Sequence, residues 1–173
     1  MPGEPKGFTL VELLAVLVIA SIIAAAVVLR LAGPMRSAQM RGVLGEIAAF
    51  DRLTRTEAVE NDRAMTLVID LDAGAFRRRG PGGDERGVAP LSLPSGFRIA
   101  RAWLPDRELS VGRAAVTCSR LGLTPSYAVL IEGPGREYRC VLVCGLTGEV
   151  VEVKDEKEIR EVLGETARRH DAG

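Results

Sequence analysis

Histidine is almost missing from this chain of 173 residues: His170 is the only one, close to the C-terminus. Without a second imidazole, no Ser-His-Asp relay and no histidine-based zinc site can be assembled. The glycine-rich stretches lack the lysine of a phosphate-binding P-loop. Glu57 and Glu60 can align on one helix face, but such carboxylate pairs are ordinary on solvated surfaces. The chain therefore reads as a non-enzyme, with no catalytic residue, cofactor or metal to assign. Aromatic residues make up 4% of the sequence, too few for base- or sugar-stacking platforms to dominate. Neither sign of charge prevails, with 23 basic and 23 acidic residues, so there is no general attraction to nucleic acid or to an anionic surface.

The feature present in excess is a hydrophobic run. Phe8 to Leu29 holds no glycine and no proline, and Glu12 is its one charge. As a helix these residues extend roughly 33 Å, enough for a hydrocarbon core of about 30 Å. A core helix of a soluble domain would be shorter or amphipathic. A cleavable secretory signal would need a basic start, a shorter apolar stretch and a small-residue cleavage site. Here Lys6 stands beside Glu4, and Arg30 follows the run directly. The remaining ~130 residues suffice for one domain. Counting Lys6 against Arg30, Arg36 and Arg41 would by itself place that domain in the cytoplasm.

A motif at the head of the run argues otherwise. Gly7-Phe8-Thr9-Leu10-Val11-Glu12-Leu13 resembles the signal of type IV prepilins and type II secretion pseudopilins. The resemblance implies that prepilin peptidase cuts between Gly7 and Phe8 on the cytoplasmic side and methylates the new amine of Phe8. It places Glu12 fifth in the mature chain, where the family carries a Glu, and the domain beyond the membrane in the periplasm. The seven-residue leader is nearly neutral, a departure from the usual basic leader.

The chemistry of Glu12 leads the same way. A charged residue at the centre of a membrane helix costs about 2.5–3.5 kcal/mol. Glu12 lies only about 6 Å below Phe8, where the cost is lower. Once the leader is removed, the carboxylate can pair with the Phe8 amine of its own chain or of a neighbouring helix. That pairing offsets the burial of each charge and sets register in an array of subunits. The simpler alternative is a Glu that snorkels to the interface.

Gly33-Pro34 is expected to break the run at the membrane edge. A helix should then cover Met35 to about Glu60, the periplasmic continuation of the first. Its apolar stripe is Met40, Val43 or Leu44, Ile47, Phe50 and Ala58, with Arg41, Glu46, Arg52, Arg55 and Glu57 on the other faces. Strand periodicity follows in Met65–Asp70 and Ala75–Arg77, joined by a turn. Residues 78–96 read as a loop. Further strands are expected at Phe97–Trp103, Arg113–Cys118, Ser126–Glu132, Glu137–Cys144 and Glu149–Val153. Asp155 can cap a last helix, Glu156 to about Arg169, with Ile159, Val162 and Leu163 on its apolar side.

The expected class is α+β: a long N-terminal helix packed on an antiparallel β domain. Its segments are a leader (1–7), a transmembrane and assembly helix (8–29), its continuation (30–60), the β domain (61–153) and a C-terminal helix or flexible tail (154–173). This order resembles the type IV pilin-like fold of H-type minor pseudopilins and their FimT relatives. Four stretches carry the resemblance: Arg55-Thr56-Glu57-Ala58 before the first strand, which ends at Asp70; Leu93-Pro94-Ser95-Gly96; Gly122-Leu123-Thr124-Pro125-Ser126; and Leu146-Thr147-Gly148-Glu149-Val150. The calcium-loop pattern of the major pseudopilin is not apparent, and the final helix has no counterpart in the family.

The periplasm is oxidising, which gives the three cysteines a possible role. Cys140 and Cys144 would lie some 13 Å apart on one strand, too far for a bridge. Cys118 could reach either only from an adjacent strand, and buried free thiols are the simpler reading. Arg77-Arg78-Arg79 reads as part of a solvated loop rather than an anion patch. FimT-type relatives bind DNA through a C-terminal Gly-Arg-x-Arg element. Gly135-Arg136-Glu137-Tyr138-Arg139 is off that spacing, and Arg168-Arg169-His170 lacks the glycine.

The resemblance thus implies a minor pseudopilin of a type II secretion pseudopilus, associated with the tip and supporting the export of folded proteins. Its partners would be prepilin peptidase, other pseudopilins or pilins met through the N-terminal helix, the inner membrane and secreted proteins. The alternatives are a type IV pilus minor pilin acting in assembly or DNA uptake, and a plain signal-anchored periplasmic domain.

Overall fold

The computed structural model describes residues 10–83, 89–153, 157–159, 161 and 163, with the side chains of residues 26–34 outside that description. The chain divides into two compact units, Met1–Gln39 and Met40–Gly173. One helix, α1 (Leu10–Glu60), begins in the first and ends in the second. It runs unbroken through Gly33-Pro34, where a break was expected. A proline inside a helix forfeits one N–H···O=C bond and crowds the preceding turn. That local cost is set against a helix of 51 residues whose Ala-, Leu- and Met-rich flanks propagate readily.

In the second unit, the last turns of α1 supply Met40, Val43, Ile47 and Phe50 to the main core, at helical steps of three and four. The rest of that core comes from two antiparallel sheets. The first contains β1 (Met65–Asp70), β2 (Ala75–Arg79), β3 (Leu91–Ser92) and β6 (Arg113–Cys118), in the order β3-β2-β1-β6. The second contains β4 (Arg98–Trp103), β5 (Glu108–Leu109), β7 (Tyr127–Gly133), β8 (Glu137–Val143) and β9 (Val150–Val153), in the order β5-β4-β7-β8-β9.

Alternation along the strands divides the second sheet's two faces. Tyr127, Val129 and Ile131 of β7, with Val141 and Val143 of β8, enter the main core. Ala128, Cys140 and Leu142 join Trp103 and Val153 in a second cluster, which Ile159 and Leu163 complete. Those two residues carry the apolar side expected of the C-terminal helix. Lys157–Ile159, Glu161 and Leu163 are helical, while the Asp155 cap and the remainder of that segment lie outside the described residues.

Two further expectations need correction. β2 continues through Arg78 and Arg79, where a solvated loop was expected, and β3 and a 3-10 turn at Pro81–Gly83 also fall within that span. Arg78 stays in the strand because it has inward partners. Its guanidinium lies 4.9 Å from the Phe50 ring centroid and donates to Glu57 at 3.2 Å. Arg55, assigned to a solvent face, is almost wholly enclosed, with 11% of its side chain exposed.

Candidate functional site

In the first unit, Glu12 sits in the first turn of α1. A carboxylate there is favoured by the positive end of the helix dipole. Gly7 and Phe8 lie outside the described residues, so the proposed cut site and its approach to Glu12 have no geometry here. Every described side chain from Leu10 to Ala25 is exposed. These residues include Leu10 at 80% and Ile22 at 65%, with large apolar side chains at most positions between them. A contiguous apolar surface of this kind marks a helix that meets lipid or other helices. Ser21, the polar interruption, satisfies its hydroxyl by donating to Leu17 O at 2.7 Å. Among the described residues, no helix is long and apolar enough to cross a membrane. The described side chains of the run stop at Ala25, short of its sequence end at Leu29.

In the second unit, the polar centre is Arg55. Its Nε donates to Asp51 Oδ2 at 2.6 Å, one helical turn back. Nη1 donates to Gly122 O at 3.1 Å and Gly145 O at 2.7 Å. Nη2 donates to Thr124 Oγ1 at 2.6 Å and Cys144 O at 3.4 Å. A guanidinium has five N–H donors in a planar fork, and all five are used. Asp51 is equally committed, since its Oδ1 accepts the Tyr127 hydroxyl at 2.9 Å. Burial, followed by the Asp51 charge and hydrogen bond, holds the Tyr127 phenol well above its ordinary pKa. It therefore remains a donor.

Three of the four family-like stretches converge here. Arg55 opens the first, Gly122 and Thr124 belong to the third, and Arg55 closes on the turn that contains the fourth. The 119–126 segment carries the chain from the first sheet to the second, and the 144–149 turn joins β8 to β9. One side chain of α1 thus fastens both. Glycine at 145 is required sterically, because a Cβ there would collide with Thr124 O and come within 2.7 Å of Ser126 N. The close approach lets Thr124 N–H donate to Gly145 O at 3.2 Å and Gly145 N–H donate to Ser126 Oγ at 3.0 Å. The Leu93–Gly96 stretch lies elsewhere, in a turn where Phe97 N–H donates to Pro94 O at 3.0 Å.

Asp70, the acidic strand end, accepts Ala73 N–H at 2.9 Å and Arg113 Nε at 2.7 Å. The Ala73 bond, helped by Arg113, holds its carboxyl below the usual range against the opposing effect of burial. All three cysteines are thiols. Cys118 and Cys140 are buried and Cys144 is partly so. Cys118 belongs to the first sheet and Cys140 to the second, so they do not occupy adjacent strands. Burial also pushes the Cys118 thiol up. Among the described residues, no group of His, Cys, Asp or Glu is placed to hold a metal ion.

Asp51 and Tyr127 were missed by sequence reasoning. The available signal was Asp51-x-x-x-Arg55, a charge pair one turn apart beside the apolar stripe. Nothing in the strand pattern marks Tyr127 as its partner.

Residues 5–28 match the prokaryotic N-terminal methylation motif. No curated protein matches the chain. Among solved structures, it is similar to the minor pseudopilin EpsH of the type II secretion system of Vibrio cholerae. The identity is 12% and the TM-score 0.50, over 67% of this chain and 96% of that one. A second EpsH structure gives 14% identity and a TM-score of 0.47, over 64% and 92% of the two chains. The type IV minor pilin FimU of Pseudomonas aeruginosa gives 14% and 0.48, over 68% and 90%. The likeness at 0.50 establishes a shared fold: a pilin-like α+β arrangement of a long helix with an antiparallel domain.

Proposed function

We propose that this chain is a minor pseudopilin, a structural subunit of a type II secretion pseudopilus rather than an enzyme. The observation that carries the reading is the methylation motif over residues 5–28, at the head of a helix whose described side chains are exposed from Leu10 to Ala25. Prepilin peptidase removes residues 1–7 and methylates Phe8. Residues 8–29 hold the subunit in the inner membrane with its β domain in the periplasm. Fibre entry moves that helix from lipid into a bundle of other N-terminal helices. Lipid and helix side chains are similarly apolar, so burial discriminates poorly between the two states. A pair between Glu12 and a Phe8 amine is polar and directional, and it supplies the register that apolar contacts do not. The subunit sits at or near the fibre tip and supports the export of folded proteins.

Mass spectrometry of the chain purified from cells with active prepilin peptidase tests the first step. The expected terminus is N-methyl Phe8, and an intact Met1 terminus would refute the reading. Glu12→Val is expected to insert normally but to be lost from sheared fibres. Deletion of the gene is expected to stop secretion of folded exoproteins. Loss of surface pili with secretion intact would assign the subunit to a type IV pilus instead.

A further inference from the structure

The last turn of α1 faces the turn that follows β6. Cations are favoured at the C-terminal end of a helix, yet the last turn of α1 holds no basic residue. Glu57 is answered by Arg63 at 3.6 Å and Arg78 at 3.2 Å. Glu60 is exposed and has no ion-pair or side-chain hydrogen-bond partner among the described residues, and the same holds for Asp62 just beyond it. Arg120 is the one cation of the facing turn, residues 119–123, and among the described residues no ion pair joins it to either carboxylate.

Glu60 borders a cleft of about 320 Å³, open to solvent, whose other lining residues are Arg55, Thr56, Val59, Leu121 and Gly122. The helix and the turn meet closely at its base. A Cβ at Gly122 would stand 3.0 Å from Val59 Cγ2 and 3.6 Å from Arg55 O. Above that contact two large apolar side chains are uncovered, Val59 at 53% and Leu121 at 71%. Leu123 is exposed in the same turn, and Leu146 in the neighbouring turn that Arg55 also fastens. Uncovered apolar side chains grouped in this way mark an interaction site. The base is also preformed, because Arg55 is fixed between Asp51, Gly122 O and Gly145 O. An occupant therefore meets a surface that loses little freedom on binding.

Charge selects the occupant. Glu60, Asp62 and the negative end of the helix repel phosphate, which argues against nucleic acid and against an anionic membrane surface. A symmetric pair of these clefts would set Glu60 against Glu60, which argues against a second copy of this chain. An apolar side chain next to a lysine or arginine satisfies both halves of the site. The apolar group covers Val59 and Leu121, while the cation meets Glu60 and the C-terminal end of α1.

We propose that this cleft docks a segment of a different protein chain, one in which a large apolar side chain stands beside a lysine or arginine. The site belongs to the second unit alone, uses none of Leu10–Ala25 and does not rest on the fibre reading.

The test is photocrosslinking of the full chain in the cells that produce it, with Leu121 replaced by p-benzoylphenylalanine. Light should join this residue to one other protein, at a segment of the stated composition. Glu60→Lys in the same chain should lower the yield at least about tenfold, because it sets like charges against each other across the contact. Glu46→Lys, at an exposed position of α1 outside the cleft, should leave the yield unchanged. The photoreactive group at Val111, exposed on another loop, should not capture the same protein. Leu121 and Glu60 are both exposed, so the fold should survive either change, and unaltered Trp103 emission checks this. No adduct, an adduct between two copies of this chain, capture of lipid or nucleic acid, or a yield indifferent to Glu60→Lys would overturn the proposal.

Discussion

Replacing Arg55 should damage the β domain far more than an exposed helix arginine would. Arg55→Ala leaves Asp51 with its carboxylate 3% exposed and only the Tyr127 hydroxyl as donor. It also strips donors from Gly122 O, Cys144 O and Thr124 Oγ1. Breaking a buried ion pair from one side costs about 3–5 kcal/mol, a large share of the 5–15 kcal/mol available to a typical domain. With a urea dependence of about 2 kcal/mol per molar, the midpoint should fall by about 2 M. Arg55→Lys keeps a charge for Asp51 but has three donors and no planar fork, so its midpoint should lie between those of the wild type and the alanine variant. Tyr127→Phe removes one hydrogen bond to a carboxylate at almost constant volume and should cost about 1.5–3 kcal/mol. Trp103 is the only tryptophan and is 3% exposed, so its fluorescence reports unfolding of this unit in the full chain. A midpoint shift below about 0.5 M for Arg55→Ala would refute the view that this side chain fastens the two turns.

Other consequences are open to direct measurement. The lowered folded pKa of Asp70 stabilises the protein above the unfolded value of about 3.9, and this contribution is lost as pH falls through the folded value. Asp70→Asn should therefore lose less stability than the wild type between pH 6 and pH 3, as read by urea midpoints. Denatured without reductant, the chain should show three reactive thiols; in the native state Cys144 should react first, and a lower total would reveal a bridge. Gly145→Ala should cost about 3 kcal/mol because its Cβ meets fixed backbone, whereas Gly42→Ala, with open space on the helix, should gain up to about 1 kcal/mol.

Two strands were legible to their ends in the sequence. Met65–Asp70 and Arg113–Cys118 have the bounds their patterns indicate: β6 alternates between exposed and buried positions, while β1, inside its sheet, is buried at five of six. β2 was cut short because three consecutive arginines look solvated. They remain in the strand through pairing with β1, as in Thr66↔Arg79, and through Arg78 reaching Phe50 and Glu57. β5 has two residues and no period to detect. Pro34 misled in the opposite direction, since a local helix breaker was outweighed by the helix on either side. The oddity of Glu12 was legible, because a carboxylate in an apolar run is costly and needs a reason, and the role given to it is a proposal. Asp51, Arg55 and Tyr127 were not legible, because their value depends on contacts up to 90 positions apart in the chain.

Those distant contacts explain why a charged residue is used where apolar packing was available. Met40, Val43, Ile47 and Phe50 bury the helix against the sheets, but apolar contact is non-directional and tolerates small rotations or slips at modest cost. Arg55 does not tolerate them. Rotating α1 about its axis would break the four bonds that Arg55 makes outside the helix, together with the Tyr127–Asp51 bond, and leave the Gly122, Cys144 and Gly145 carbonyls without the guanidinium. The adjoining residues make alternative fits costly, because Gly122 has a φ of +77° and any Cβ there would press on Val59. The apolar stripe therefore supplies most of the attraction between helix and sheets, while the Asp51–Arg55–Tyr127 group selects one rotation and one register. Glu12 is proposed to do the same between subunits, where apolar helices also lack direction. In the second unit the Asp51–Arg55–Tyr127 group supplies the specificity that hydrophobic burial cannot.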